Sequence, residues 1–173
     1  MKKLTALVLA LCMALGLAAC GGSKDTGSAA GSTAVARGDT VKIGVYEPQS
    51  GDNGAGGKQE ILGVQYANSI APTVEIGGKT YNVKLEIVDN ESSNDKAVSA
   101  ASQLVSQGVS VVLGSYGSGV SIAASDTFKN AGVPAIGITC TNPAVTAGNT
   151  HYFRACFIDS FQGPVLANYA YDN

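Results

Sequence analysis

A loop rich in glycine and serine, GSYGSGVS at residues 114–121, follows an apolar run and precedes a segment with a helical pattern. Loops between a strand and a helix often hold an anion, because the first main-chain amides of a helix have no partner within it. Ser118 lies where it could cap the helix, and a hydroxyl beside such amides suits one carboxylate. The alternative is that Ser118 only caps its own helix. The candidate ligand-binding residues of this loop are Tyr116, Gly117, Ser118 and Gly119.

Catalytic motifs are incomplete in the same loop. A Walker A phosphate loop would need lysine where Val120 stands, and a dinucleotide fingerprint would need glycine where Ile122 stands. A nucleophile elbow around the loop serine would need glycine at Tyr116. His151 is the single histidine of the chain, and no acid is evident to orient it. The sequence therefore favours binding over catalysis, and no cofactor is expected.

A second polar loop, ITCTNPAVT at residues 138–146, follows the next strand pattern. The main chain of Thr139 and the hydroxyl and N–H of Thr141 could meet both charged ends of an α-amino acid, with Cys140 between them. An ammonium group also needs a negative partner, and Asp159 is the candidate. The alternatives are that Thr141 only begins a turn and that Asp159 only supports the helix after it.

Strand and helix patterns alternate along the part of the chain that must position these loops. Strands are predicted at residues 41–46, 84–90, 109–114, 135–139 and 152–157, and helices at 58–70, 94–107, 120–131 and from 161 onward. A hairpin is predicted at residues 74–83. The run at 109–114 is expected to be buried on both faces. This alternation predicts an α/β fold, a Rossmann-like parallel sheet with helices on both faces, whose ligands bind at the carboxyl ends of the strands.

The N-terminus carries an export signal. Two lysines precede an apolar run that is too short to span a membrane, and small residues follow it. Residues 17–20 resemble a bacterial lipobox, which predicts a signal peptide at residues 1–19 and a membrane-holding lipid on Cys20. The alternative is an ordinary signal peptide in which Cys20 is incidental. Residues 20–40 are expected to form a flexible linker, and the mature protein is expected outside the cytoplasm.

Charge and cysteine content exclude several partners. The chain carries a net charge of −2 and no run of Lys or Arg, so nucleic acid is not expected as a partner. Cys140 and Cys156 are expected to be two buried thiols, although an exported compartment permits a disulfide between them. A zinc site with His151 lacks the usual close spacing.

The sequence stops within a helical pattern, so the chain is expected to be a fragment of a longer protein.

Five segments resemble a known family when they are taken in order: IGVYEPQSG, VDNESSNDKAVSAASQLVSQGVSVVLGS, SGVSIAASDTFKNAGVPAIGIT, TNPAV and FRACFIDSFQG. Together they are similar to the N-terminal lobe of bacterial periplasmic proteins that bind leucine, isoleucine and valine, over residues 41–173. The resemblance implies a type I lobe of a lipid-anchored two-lobe protein that delivers its ligand to an ABC permease. It also implies that Ser118 takes the ligand carboxylate, that Thr139 and Thr141 take the polar head, and that Asp159 lies at the cleft.

The sequence departs from that family at several positions. An aromatic residue of the first loop falls near Gly56 here, so one wall of the side-chain pocket is expected to be missing. The ligand therefore stays open among aliphatic, amide and aromatic amino acids. Two cysteines that form a disulfide in those proteins would align near Ser92 and Gly117, and both are absent. The ligand-sensing domain of a receptor or chemosensor has the same fold and is the alternative function.

Overall fold

The computed structural model describes residues 38–173. The signal peptide, the lipobox with Cys20 and nearly all of the expected linker lie outside these residues. The elements follow the order β1 (Thr40–Glu47), α1 (Gly54–Ile70), β2 (Thr73–Ile76), β3 (Lys79–Asp89), α2 (Asn94–Ser106), β4 (Val111–Leu113), α3 (Ser118–Asn130), β5 (Ala135–Gly137), a 3₁₀ turn (Pro143–Val145), β6 (Tyr152–Arg154) and α4 (Asp159–Asp172).

The strands form one sheet in the order β2-β3-β1-β4-β5-β6. β1 pairs in parallel with β3 on one side and with β4 on the other, and only the β2–β3 hairpin is antiparallel. The chain therefore builds the sheet in one direction from β1 to β3 and in the other from β4 onward. A parallel sheet that reverses its strand order in this way has its ligand crevice at the carboxyl ends of the strands where the order switches, here β1 and β4.

Helices cover both faces of the sheet, as the sequence predicts. On one face α2 and α3 bury small and branched side chains, and Leu104 lies against Gly44 and Val112 of the central strands. On the other face α1 leaves a cavity of about 510 Å³ that is lined by apolar side chains including Ile43 and Leu113. The α/β prediction is confirmed, with a sheet that is parallel apart from its edge hairpin.

Several element boundaries differ from the sequence predictions. The second hairpin strand and the strand predicted at 84–90 are one long strand, because residues 79–89 pair first with β2 and then with β1. α1 begins at Gly54 instead of residue 58. A Cβ at Gly57 would overlap Pro48, so this glycine permits a close approach between helix and loop. Helices α3 and α4 each begin two residues earlier than predicted, and strands β4 to β6 are short.

The strand expected to be buried on both faces is only partly so. Val112 is fully buried on the α2–α3 face, whereas Val111 and Leu113 are half-buried. Leu113 lines the cavity beside α1. The second face of β4 is therefore less tightly covered than the apolar run implied.

Within residues 38–173, every helix is too short or too polar to cross a membrane. This part of the chain also brings no three His, Cys, Asp or Glu side chains together as metal ligands. Cys140 and Cys156 are both free thiols. Cys140 is buried as expected, but Cys156 is only half-buried, and the alternative of a disulfide between them is not realised.

Candidate functional site

The loops that follow β4 and β5 meet at the carboxyl edge of the sheet. The Oγ of Ser118 accepts a hydrogen bond from the main-chain N–H of Asn142 at 3.2 Å. The hydroxyl of Thr139 lies 3.4 Å from the carbonyl oxygen of Tyr116. The structure therefore brings Ser118, Thr139 and the segment that carries Thr141 into one place, at the strand switch between β1 and β4.

Ser118 does not cap its helix, so the alternative in which it only caps α3 is wrong. Gly117 is the N-cap in extended conformation, Ser118 is the first residue of α3, and no side chain caps this end. Since Ser118 Oγ accepts from Asn142, its own proton is available, and no acceptor in residues 38–173 takes it. The hydroxyl and the uncapped amides of the first helical turn can therefore donate to an anion together.

Glycine is required where the first loop passes the end of β1. Gly114 has a φ of +119°, and a Cβ there would overlap the main chain of Tyr46. The buried amide of Asn90 then holds the loop, donating to the carbonyl of Tyr46 at 3.2 Å and to the hydroxyl of Ser115 at 2.9 Å. Gly119, on the first turn of α3, is also confined, because a Cβ there would lie 3.0 Å from Asn94 Oδ1. The loop is thus fixed from several sides before any ligand arrives.

Arg154 on β6 holds the second loop and was missed by the sequence analysis. Its guanidinium donates to the carbonyl oxygen of Cys140 at 3.0 Å and to that of Asn142 at 2.9 Å. It also lies 3.1 Å from the hydroxyl of Thr146. One available signal was that Arg154 is the only Lys or Arg after Lys129. The thiol of Cys140 is buried against Gly137, so Cys140 can reach a ligand only through its main chain.

Asp159 begins α4 and adjoins the second loop. Its N–H donates to the carbonyl oxygen of Thr141 at 3.0 Å, and its carboxylate accepts from the Gln162 amide at 2.9 Å. These bonds show the helix-supporting role that the sequence left open. The side chain is exposed, and contact with an ammonium group stays a prediction.

The ring of Tyr116 stands beside α1 and fills the space above Gly56. A Cβ at Gly56 would overlap this ring, so the missing side chain is what lets the tyrosine lie there. Tyr116 is 37% exposed. An aromatic surface is therefore present next to Gly56, supplied by the loop after β4, although the sequence analysis expected that wall to be absent.

Two acidic residues, Glu47 and Glu60, lie beneath the loops and were also missed. Burial is the main cause that raises the pKa of Glu47 to about 10, with a hydrogen bond to Glu60 as the second cause. Glu47 is therefore a neutral acid at pH 7. The available signal was an acidic residue at the end of an otherwise buried strand, where an ionised carboxylate would be costly.

The fold is that of one lobe of a binding protein, and the chain belongs to the periplasmic binding protein family. The family's sequence pattern, described as "Periplasmic binding protein", matches residues 40–173. The resemblance inferred from the sequence and the type I lobe are thereby confirmed. A family of binding proteins also agrees with the expectation that the chain is not an enzyme.

Two relatives are about one-third identical to this chain over the residues that align. Leu/Ile/Val-binding protein homolog 3 of Brucella melitensis is 34% identical over 135 residues, which cover 77% of this chain and 36% of that protein. An amino acid binding protein of Pseudomonas aeruginosa is 36% identical over 132 residues, which cover 75% of this chain and 35% of the relative. The chain thus spans somewhat more than a third of the length of these curated relatives.

Two solved structures have the same fold. The leucine binding protein LivK of Thermotoga maritima superposes with a TM-score of 0.70 at 35% identity, over 76% of this chain and 37% of that one. LivJ of Streptococcus pneumoniae, solved in complex with isoleucine, gives a TM-score of 0.67 at 36% identity, over 75% of this chain and 37% of that one.

Proposed function

We propose that this chain belongs to an extracytoplasmic solute-binding lipoprotein that captures an amino acid and delivers it to an ABC importer in the membrane. The family name supports a location outside the cytoplasm. The signal peptide at residues 1–19, the lipid on Cys20 and the linker up to residue 40 are parts of the proposal that rest on the sequence pattern. Residues 41–173 would be the first lobe of that protein.

One observation carries the proposal: the loops that hold Ser118 and Thr141 contact each other and leave uncharged donors at the sheet edge. Ser118 and the first amides of α3 would donate to the ligand carboxylate. The carbonyl of Thr139 and the hydroxyl of Thr141 would accept from the ligand ammonium, with Asp159 as its negative partner. Neutral donors and acceptors of this kind suit a zwitterion, because neither end then faces a like charge.

Branched-chain amino acids are the favoured ligands. The relatives named for leucine, isoleucine and valine support this choice, as does LivJ with its bound isoleucine. The exposed ring of Tyr116 would offer an apolar surface for an aliphatic side chain. Because the relatives are much longer, the remaining pocket walls would come from a second lobe that closes on the ligand.

Calorimetry on the full-length protein tests the proposal. Leucine, isoleucine and valine are expected to bind at micromolar concentration, about −8 kcal/mol, whereas lysine and aspartate are expected not to bind. Binding of aspartate but not leucine would reject the neutral, branched-chain site. Conversion of any bound amino acid into another product would reject the binding-protein class.

A further inference from the structure

Two carboxyl groups beneath the candidate site each hold one of its loops. Glu47, at the end of β1, is fully buried, and its Oε2 accepts a hydrogen bond from the N–H of Tyr116 at 2.6 Å. Glu60, on α1, accepts a hydrogen bond at Oε1 from the hydroxyl of Thr139 at 2.5 Å. The loop after β4 and the loop after β5 are therefore both attached to the β1–α1 segment through a carboxyl group.

The second oxygen of each carboxyl group is buried as well. Glu47 Oε1 and Glu60 Oε2 find no donor in residues 38–173. An ionised carboxylate only accepts hydrogen bonds, so two ionised groups would leave both oxygens unpaired. The two carboxyl groups are neighbours, since Glu47 bonds to the N–H of Tyr116, the hydroxyl that bonds to Glu60 lies 3.4 Å from the carbonyl oxygen of the same residue, and Glu60 is a cause of the raised pKa of Glu47. A proton on one of the two carboxyls would give it a donor for the free oxygen of the other.

The surroundings supply no positive charge that could replace this proton. The titratable groups that act on Glu47 or sense its charge are Glu60 of α1, Tyr46 of β1 and Tyr152 of β6. None of the salt bridges in residues 38–173 includes Glu47 or Glu60. Burial raises the pKa of both tyrosines, so they are neutral hydroxyls. Two ionised carboxylates would face each other here without compensation.

We propose that Glu47 and Glu60 share one proton, and that this carboxyl–carboxylate pair positions the two ligand loops by bonding to Tyr116 on one side and Thr139 on the other. Glu47 and Glu60 are positioning residues, since neither is assigned a contact with the ligand. The consequence for affinity rests on the proposed function, whereas the shared proton does not. With one shared proton, one of the two unpaired carboxyl oxygens donates to the other. This single hydrogen bond connects the loop held by Glu47 with the loop held by Glu60.

Infrared spectroscopy of the full-length protein at pH 8 tests the shared proton without any ligand. Exposed carboxyl groups are ionised at this pH, so a carboxylic acid carbonyl band reports a buried protonated group. The difference spectrum between the parent and Glu47→Gln is expected to contain this band. Glu75→Gln, on the exposed strand β2, is the matched control and is expected to leave the band in place. A parent spectrum that differs from neither variant in this region overturns the proposal.

Binding of isoleucine to the variants tests the positioning role. Glutamine at residue 47 can accept from Tyr116 and donate to Glu60, so Glu47→Gln is expected to stay within about two-fold of the parent affinity. Glu47→Leu leaves the Tyr116 amide without a partner and is expected to weaken binding about ten-fold or more. Equal losses in Glu47→Gln and Glu47→Leu would overturn the proposal, because the charge and not the proton would then matter.

A milder variant covers the case in which Glu47→Leu does not fold. Thr139→Val removes the hydroxyl that donates to Glu60 and is expected to weaken isoleucine binding several-fold while the fold persists. Affinity equal to that of the parent would overturn the positioning role. If the parent itself binds neither leucine nor isoleucine, the proposed function fails. The infrared band and the melting temperature of Thr139→Val still test whether Glu47 and Glu60 share a proton, because neither measurement needs a ligand.

Discussion

The side-chain oxygen of Ser118 lies 3.2 Å from the main-chain nitrogen of Asn142 and accepts its hydrogen bond. This bond joins the loop after β4 to the loop after β5, which are the segments where the sequence predicts a carboxylate contact and an ammonium contact. Because Ser118 accepts in this bond, its hydroxyl proton points elsewhere and is free for a ligand. One side chain therefore both joins the two loops and contributes to the candidate site.

Replacing Ser118 by alanine removes a donor to the ligand carboxylate and the acceptor for Asn142. Hydrogen bonds to charged groups contribute about 1.5–3 kcal/mol, so affinity is expected to fall about ten- to hundred-fold. Calorimetry with isoleucine on the full-length protein measures this change. Ser102→Ala is the control, since Ser102 is exposed on α2 and bonds only within its own helix. Unchanged affinity in Ser118→Ala would remove this residue from the site.

Glu47 is expected to make stability fall as the pH rises. Its pKa is raised from 4.5 to about 10, mainly by burial, so the folded protein holds a proton that the unfolded chain releases between these values. The contribution is fully present below pH 4.5 and is lost toward pH 10. One such proton changes the free energy of unfolding by about 1.4 kcal/mol per pH unit.

Glu47→Gln keeps the hydrogen bonds and removes this titration. The stability of the variant relative to the parent is therefore expected to rise steadily from pH 5.5 to pH 8.5, by about 1.4 kcal/mol per unit at most. Urea unfolding of the full-length proteins at several pH values measures the difference. A constant difference between the two proteins would show that Glu47 is ionised throughout.

Gly56 and Gly63 provide a matched pair on helix α1. A Cβ at Gly56 would overlap the Tyr116 ring, whereas nothing lies within 4 Å of a Cβ at Gly63. Gly63→Ala is expected to stabilise the protein by about 0.5–1 kcal/mol, because alanine loses less backbone entropy in a helix. Gly56→Ala is expected to displace Tyr116 and weaken isoleucine binding. Equal gains in melting temperature with unchanged affinity would show that the ring does not depend on this glycine.

The proposed lipid on Cys20 is tested by intact mass and detergent partitioning. The parent is expected to enter the detergent phase and to carry added acyl mass, whereas Cys20→Ser is expected to stay in the aqueous phase with its signal peptide uncut. Cys156→Ser serves as the control and is expected to behave like the parent. A parent of unmodified mass would favour an ordinary signal peptide.

The alternation of strand and helix could be read from the sequence because each pattern is local. Helix α2 buries Ala97, Ala101 and Leu104 at helical spacing, and the apolar runs around Val45 and Val112 are buried strands. The ends of helices and strands were harder to predict from the sequence where a glycine permits close packing instead of forming a turn. Gly57, which lies against Pro48, is the example. The length of β3 also depends on its two partner strands, which a local pattern does not contain.

The candidate site was predicted in part for the same reason. Ser118 and Thr141 come within a few residues of the ends of β4 and β5, so strand order alone places them at the carboxyl edge. Glu47 acts on Tyr116 across 69 residues of sequence, and Glu60 acts on Thr139 across 79 residues. Arg154 is likewise defined by the carbonyl groups that it meets. These contacts form only after folding, so the sequence could mark Glu47 and Arg154 as unusual residues but could not identify their partners.

A crystal structure of the full-length protein with isoleucine tests the central claim most directly. The account predicts that the ligand carboxylate lies about 3 Å from Ser118 Oγ and from the first amides of α3, with the ammonium group against Thr139 and Thr141. Isoleucine bound elsewhere, for example in the apolar cavity beside Leu113, with no contact to Ser118 or Thr141, would contradict it.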